Sequence, residues 1–214
     1  MAKPKARNPE EVKRNILEIA SEEFAENGFA GARVNVIAER TETSKRMIYY
    51  YFEDKLGLYR EVLVLAYTQM RKQEAAYNDA PKSATEALCN FVRQTFMDRI
   101  RHEGFMRLVA IENIHRAENL DALGKRFSDV NKSAVETIAK LYREGVASGE
   151  FRPGCDATEL HWFISALATF NVTNRHTFSA AFGSAVYSEK GQENLCQMAV
   201  DAVLHLARTG RDHQ

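Results

Sequence analysis

A short run of basic and aromatic side chains, from Lys45 to Tyr50, has the composition of a surface that reads DNA. Ser44 is a good N-cap for a helix that runs to about Tyr50. Ile48 and Phe52 lie four positions apart and are predicted to face inward, which leaves the cations and phenolic hydroxyls outside. Such side chains bind phosphates and base edges when their helix lies in the major groove of DNA.

The neighbouring elements must position this helix. Ile37 and Ala38 supply the apolar face of a short helix before it, and residues 41–43 interrupt the helical pattern. Residues 16–29 form an earlier helix with apolar residues at helical spacing, closed by Asn27 and Gly28. After the helix that ends near Tyr50, Asp54 caps a long helix. The alternative is a polar turn on the surface of an unrelated helical protein, and this ordered set of flanking helices argues against it.

Three short helices followed by a long one resemble the DNA-binding end of the TetR family of one-component transcriptional regulators. The residues that carry the resemblance are the stretch 16–29, Ile37-Ala38, Ser44-Lys45, Ile48 to Phe52, Asp54-Lys55 and Leu58-Tyr59. They cover about a quarter of the chain. The chain departs from the family in three places: Glu42 stands where Gly is usual, Ala32 where Thr is common, and Arg46 where a small residue is usual. Glu42 must therefore tolerate a turn conformation that suits Gly better.

The resemblance implies a set of DNA contacts. The expected DNA-binding residues are Arg33, Asn35, Ser44, Lys45, Arg46, Met47, Tyr49, Tyr50 and Lys55. We expect Arg46 and Met47 to read bases, because a guanidinium can contact guanine bidentately and a thioether can touch the thymine methyl group. The other side chains are expected mainly to hold phosphates, with Lys55 helped by the N-terminus of its helix.

Composition limits the function classes. The 214 residues carry 29 basic and 29 acidic side chains, which argues against a nonspecific DNA coat but allows a local basic surface. No apolar run is long enough to cross a bilayer and the N-terminus has no signal-peptide core, so we expect a cytoplasmic protein. Three widely spaced cysteines without a CxxC pair are predicted to be reduced thiols: Cys89, Cys155 and Cys196.

Helical periodicity runs through the rest of the chain without convincing strands, which predicts an all-α fold of roughly nine or ten helices. Capping signals at Ser83/Glu86 and Asp156/Glu159 mark two helix starts. We predict a helix-turn-helix DNA-binding domain over residues 1–55, with a flexible basic arm at 1–8. A helical ligand-binding and dimerisation domain follows over residues 56–214, joined by a long helix from about residue 54 to 77.

Dimerisation is the first expected role of the second domain, because a single helix-turn-helix reads too few base pairs to select one site in a genome. The last two predicted helices, about 156–180 and 191–208, carry apolar stripes. The alternative is that both stripes belong to the core of one protomer, and the resemblance favours a four-helix interface in a homodimer. The predicted interface residues are Leu160, Phe163, Ile164, Leu167, Leu195, Met198, Val203 and Leu206.

The resemblance also implies a small-molecule pocket. Ligand binding in this pocket is expected to move the two DNA-binding domains of the dimer apart. Residues 105–119 and 170–178 mix polar with apolar side chains, as a ligand site requires. The predicted ligand-binding residues are Phe105, Arg107, Leu108, Glu112, His115, Phe170, Asn171, Arg175 and His176. Either Arg107 or Arg175 could hold a carboxylate, so we expect a small aromatic or organic acid. Alternatively, these polar groups satisfy helix ends, the dimer interface and one another.

Glu112 and His115 form a Glu-x-x-His pair at metal-ligand spacing, which His161 or His176 could complete. A di-iron bundle would need a second such pair, and the sequence has none. It also has no nucleophile elbow, phosphate loop or dinucleotide-binding glycine run, so we expect no enzyme activity, cofactor or metal. We therefore predict a homodimeric transcriptional repressor that a small-molecule ligand releases from a palindromic double-stranded DNA operator. The alternatives are a helical metal-binding protein or enzyme and a DNA-binding factor without a ligand.

Overall fold

The computed structural model of the chain describes residues 8–75 and 82–209, which are helical apart from turns and loops. The helices are α1 (Pro9–Gly31), α2 (Val34–Arg40), α3 (Lys45–Phe52), α4 (Lys55–Ala75), α5 (Ala84–Arg101), α6 (Glu103–Ile114), α7 (Glu118–Leu123), α8 (Lys125–Ala147), α9 (Ala157–Thr173), α10 (Arg175–Phe182) and α11 (Glu189–Thr209), with a short 3-10 helix at Ala185–Tyr187. The all-α prediction is confirmed, although the described residues hold eleven α-helices instead of nine or ten.

Two compact units divide the chain. Unit 1 comprises Met1–Thr68 and Arg107–Phe127, and unit 2 comprises Gln69–Met106 and Ser128–Gln214. Unit 1 therefore contains the predicted DNA-binding segment together with α6 from Arg107 onward, α7 and the start of α8. The predicted basic arm, apart from residue 8, and the predicted end of the long helix near residue 77 lie outside the described residues.

Local sequence signals explain how α1 begins and where it breaks. The side chain of Asn8 caps α1 by accepting a hydrogen bond from the Glu10 N–H at 3.1 Å, and Pro9 occupies the first turn. Gly28 has φ 66° and ψ 175°, which interrupts the helical backbone at the predicted stop. The chain then continues helically to Gly31.

The core of unit 1 is built from the apolar faces of α1 to α4. Ile16, Phe24, Ile37, Ile48 and Tyr59 have no exposed surface. The Phe24 and Tyr59 rings meet edge to face, with centroids 4.9 Å apart. Full burial of each large apolar side chain stabilises the fold by about 1.5 to 3 kcal/mol. This core holds α3 by one face and leaves the other in solvent.

Unit 2 has its own core, formed mainly where α5 packs against α9 and α11. Its central buried residues include Leu88, Phe91, Ile138, Leu160, Ile164 and Val203. Both predicted helix starts are confirmed. Ser83 Oγ accepts from the Glu86 N–H at 3.1 Å, and Asp156 Oδ1 accepts from the Thr158 and Glu159 N–H groups at 2.8 and 3.1 Å.

Two predicted helices are wrong in extent. The helix expected over 156–180 is divided at Asn174 into α9 and α10. The Asn174 backbone has φ −102° and ψ 5°, which departs from helical values and separates α9 from α10. The segment 105–119 is likewise interrupted, because α6 ends at Ile114 and the backbones of Arg116 and Ala117 adopt positive φ angles of 57° and 60°.

Candidate nucleic-acid interface

A tight turn joins α2 to α3. Glu42 lies in it with φ 51°, the left-handed conformation expected where family members usually carry Gly. Thr41 Oγ1 donates to the Ile37 carbonyl at 2.7 Å, and the Thr43 N–H donates to the Ala38 carbonyl at 3.0 Å. These bonds satisfy the last carbonyls of α2 and fix the direction in which the chain enters α3.

Helix α3 has one buried and one exposed face. Ser44 caps it by accepting from the Met47 N–H at 3.2 Å. Ile48 is fully buried and Phe52 is 6% exposed, which confirms that both face inward. Tyr50, by contrast, is 77% exposed. The other predicted DNA-contact residues are exposed, except that Tyr49 and Lys55 are half-buried: Arg33, Asn35, Ser44, Lys45, Arg46 and Met47.

The exposed face of α3 is electropositive. Within residues 8–75 and 82–209, neither Lys45 nor Arg46 forms an ion pair, so both cations are available to an anionic partner. The Lys45 ammonium stands 5.5 Å from the centre of the Tyr49 ring, which aligns the two side chains on one side of the helix. Unpaired cations beside aromatic hydroxyls match the donors that bind phosphate oxygens and base edges.

The α3 to α4 junction depends on a glycine that sequence analysis missed. A Cβ atom added to Gly57 would lie 2.1 Å from the carbonyl oxygen of Phe52, so the two helices meet closely only because this residue has no side chain. The Gly57 N–H donates to Asp54 Oδ1 at 2.7 Å, which confirms Asp54 as the cap of α4. Glu53 has a positive φ of 66°, so the chain turns sharply between α3 and α4. The structure shows this turn, and the sequence analysis did not predict it.

Lys55 is held at the start of α4. Its ammonium lies 5.0 Å from the centre of the Phe29 ring and donates to the Ala30 carbonyl at 3.4 Å. Both contacts come from the end of α1, so α1 positions this cation beside the N-terminus of α4. An anion at that point would meet the ammonium and the free N–H groups of the helix.

A buried polar cluster in unit 1 connects α4 with α6 and α7. Glu112 is 1% exposed, and its Oε1 accepts from the Tyr59 hydroxyl at 2.8 Å and from Asn119 Nδ2 at 3.1 Å. Burial, followed by the hydrogen bond to Glu112, raises the pKa of Tyr59 well above its usual range, so Tyr59 remains a neutral donor. Glu112 thus holds three helices of unit 1 together.

The other predicted ligand residues of unit 1 have separate surroundings. Arg107 is exposed and pairs with Glu26, at 3.3 Å from its carboxylate and 3.1 Å from its backbone carbonyl. Leu108 is 2% exposed, whereas His115 is exposed just beyond the end of α6. His115 therefore does not join the buried Glu112. In the described part of the chain no cluster of three or more His, Cys, Asp or Glu side chains could hold a metal ion.

The remaining predicted ligand residues lie in unit 2. Asn171 is buried and exchanges hydrogen bonds with the Gln192 side chain at 2.6 and 3.2 Å. Arg175 is exposed, with its guanidinium 5.6 Å from the centre of the Tyr187 ring. Phe105 is half-buried, and Phe170 and His176 are exposed. The nine predicted ligand residues are therefore divided between the two units and do not form one cluster in either of them.

The predicted dimer residues on α9 and α11 also differ in exposure. Leu160, Ile164 and Val203 belong to the core of unit 2, while Phe163, Leu167, Leu195 and Leu206 are half-buried and Met198 is 65% exposed. Sequence analysis missed Trp162, which is 69% exposed on α9. It helps to line an apolar groove of about 760 Å³ with Leu160, Phe163 and Leu206. Exposed Trp and Met side chains on these two helices are unusual for surfaces that face only water.

The fold and the α2–α3 surface define an all-α helix-turn-helix protein with a second helical unit. Residues 16–62 match the family described as bacterial regulatory proteins, tetR family, and residues 85–203 match the tetracyclin repressor-like C-terminal domain. The chain belongs to the TetR family and is a DNA-binding transcriptional regulator. The resemblance on which the sequence analysis relied is confirmed.

Individual relatives agree with this assignment. The chain is 30% identical over 182 residues to the HTH-type transcriptional repressor NicS of Pseudomonas putida, covering 82% of each protein. A tetR-family regulatory protein from Rhodococcus superimposes with a TM-score of 0.70 at 18% identity, covering 94% of this chain and 98% of the other. FadR from Bacillus subtilis in complex with stearoyl-CoA gives 0.63 at 19% identity, covering 93% and 99%. Among the described residues, no helix is long and apolar enough to span a membrane.

Proposed function

We propose that this protein is a cytoplasmic homodimeric repressor that binds a palindromic operator and is released by a small aromatic or organic acid. The observation that carries the proposal is α3, whose Ile48 and Phe52 anchor it to the core while Lys45 and Arg46 are exposed and form no ion pair with any described residue. A short helix held by one face, with cations and hydroxyls on the other, fits a major groove. We infer that Arg46 and Met47 read bases and that the flanking groups hold phosphates.

The homodimer is supported by the exposed apolar surface of α9 and α11. Trp162 and Met198 each expose more than half of their surface, and Trp162 lines the groove together with Phe163 and Leu206. Two copies of this surface would bury it in an isologous interface. The two DNA-binding domains of the dimer would then contact half-sites about 34 to 36 Å apart, or a multiple of that spacing, which predicts a palindromic operator. NicS, the relative described above, is named a repressor.

Ligand response is a coupling between the two units. Helix α4 contributes to both, since its residues up to Thr68 belong to unit 1 and those from Gln69 onward to unit 2. The chain re-enters unit 1 at Arg107 and leaves it after Phe127. A ligand that favours one arrangement of these covalently linked segments shifts DNA affinity by its differential affinity for the two states. FadR, crystallised with stearoyl-CoA, shares this fold.

The test is selection of bound duplexes from a random DNA pool by the purified protein. We expect a palindromic consensus that is lost in the double variant Lys45→Ala/Arg46→Ala. The matched control is Lys132→Ala/Arg143→Ala, which removes two exposed cations from α8 in unit 2 and should keep the consensus. A folded, dimeric protein that enriches no sequence, or a consensus retained by the α3 double variant, would refute the proposed DNA surface.

A further inference from the structure

A cluster of charged side chains lies inside unit 2. Glu74 on α4 pairs with Arg99 on α5 at 3.0 Å and with Arg71 one turn earlier on α4. Glu74 is 3% exposed and Arg99 is 4% exposed. Charges this deeply buried are costly unless their surroundings or a ligand compensate for them. The cluster is therefore a candidate for a site with a specific role.

The Arg99 guanidinium is poorly satisfied by its protein partners. One of its terminal nitrogens donates to Glu74, and the other is directed at the thioether sulfur of Met70, a weak acceptor. The Phe105 ring lies against its face, 5.7 Å from the guanidinium carbon. Because the Arg99 guanidinium has one strong and one weak acceptor, it can donate hydrogen bonds to a second carboxylate.

Thr95 of unit 2 points to a missing polar partner, and His161 is a further polar group near the cluster. Thr95 lies one turn before Arg99 on the same face of α5 and is 2% exposed, and its hydroxyl has no hydrogen-bond partner among the residues that the structure describes. A buried hydroxyl without a partner destabilises the fold unless a ligand satisfies it. His161 on α9 lies within electrostatic reach of the cluster. Burial, followed by the charge of Arg71, lowers the pKa of His161, so its imidazole is neutral at pH 7.

A groove of about 540 Å³ adjoins the cluster, which is a size suited to a small organic molecule. Glu74 forms part of its wall, together with Ala87, Phe91 and Leu141. Its other acidic side chains already have partners. Glu144 lies 3.9 Å from Lys140, and Glu150 accepts from the N–H groups at the start of α5 at 3.0 and 2.9 Å. These contacts offset part of the negative charge of Glu144 and Glu150, and Arg71 and Arg99 offset that of Glu74.

We propose that the effector is a small organic carboxylate whose charged group is held in unit 2 by Arg99 and Arg71, with the Thr95 hydroxyl as a further donor. Its apolar body lies in the groove against Phe91. This inference rests on the proposed ligand-responsive function and assigns its anion-binding site to residues other than Arg107 and Arg175. Those two arginines are exposed and belong to different units, whereas Arg99 is buried in a polar cluster beside a groove.

The experiment is calorimetric titration of the full chain with benzoate, phenylacetate and octanoate, each compared with its neutral amide. We expect at least one carboxylate to bind, and its amide to bind at least about tenfold more weakly. Arg99→Lys keeps the charge but removes the planar donor pair, so binding should weaken at least about tenfold. Thr95→Val should weaken it about threefold or more while leaving the fold intact, because no hydrogen bond is lost in the free protein.

The controls are Arg107→Ala and Arg175→Ala, which should bind the carboxylate like the wild type. If Arg99→Lys fails to fold by circular dichroism, Thr95→Val decides the question alone. Failure of all three carboxylates to bind, or equal binding by the wild type and the folded variants, would overturn the inference. Retained operator binding in that case would leave the proposed repressor standing, whereas failure to select any operator would refute the repressor independently of the titration.

Discussion

Truncation of Trp162 to Ala should dissociate the proposed homodimer. The residue is 69% exposed in the protomer. A tryptophan side chain buries roughly 150 to 250 Å² when fully covered, so the interface would cover roughly 100 to 170 Å² of it. At about 25 cal/mol per Å², that is about 2.5 to 4 kcal/mol for each protomer, and an isologous interface contains the residue twice.

Buried area converts only partly into affinity, because association also costs translational and side-chain freedom. We therefore expect the dimer dissociation constant to rise at least about a hundredfold, which corresponds to about 2.7 kcal/mol. Sedimentation velocity over a dilution series measures this shift. The matched control is Ile114→Ala, which removes a side chain of 76% exposure from unit 1 and should leave the dissociation constant unchanged.

A second readout comes from the wild-type protein itself. The chain contains one tryptophan, so fluorescence excited selectively in tryptophan reports on this position alone. The emission should be blue-shifted at dimeric concentrations and move to that of a water-exposed indole on dilution, with the same midpoint as the sedimentation data. A dimer whose indole emission is that of exposed tryptophan, or a Trp162→Ala variant that dimerises as tightly as the wild type, would refute the assignment of this surface.

Three further predictions concern the DNA surface and the stability of the fold. Arg46→Ala should cost about 1 to 3 kcal/mol on the preferred operator and relax specificity at one base pair, whereas Lys55→Ala should weaken all sequences alike; equal losses on every sequence would contradict the base-reading role. Gly57→Ala should lower the free energy of unfolding by about 1 to 3 kcal/mol, because the added Cβ would clash with backbone. Gly31→Ala should not lower it, because its Cβ would lie 3.5 Å from the nearest atom. Equal denaturation midpoints for the two variants would disprove the predicted clash at Gly57. Hydrogen bonds from the N–H groups at the start of α5 lower the pKa of Glu150 from 4.5 to about 2. The contribution of Glu150 to stability should therefore be complete above pH 4.5 and disappear as the pH falls towards 2. A stability difference between the wild type and Glu150→Gln that persists at pH 2 would refute this prediction.

Helix α3, which carries the proposed DNA-binding surface, was predictable because its signals are local. Ser44 caps the helix that follows it, and the four-residue spacing of Ile48 and Phe52 defines its inner face, so the stretch from Ser44 to Phe52 is enough to predict α3. The break at Asn174 was not predicted, because Asn is tolerated inside helices and the apolar stripe continues across it.

The buried polar groups were not predictable from local pattern. Arg99 and Glu74 lie on helices that also carry exposed charged residues, such as Lys72 and Arg93, and nothing in their spacing marks them as interior. Their burial depends on a contact between α4 and α5 that joins residues 25 positions apart. Glu112 is similar, because the partner that explains it, Tyr59, lies 53 positions away. Spacing suggested a metal ligand for Glu112, while the structure shows a hydrogen-bonded carboxylate.

The Tyr59–Glu112–Asn119 cluster makes the DNA-binding unit discontinuous along the chain. A fragment that ends at Thr68 would lack Glu112 and Asn119 and would leave the Tyr59 hydroxyl without its acceptor. During synthesis, unit 1 cannot be completed until the polypeptide has been made as far as Phe127. A chimera that joins unit 1 to another ligand-binding domain must therefore include residues 107–127, because a chain cut within α4 would lose part of the core of unit 1.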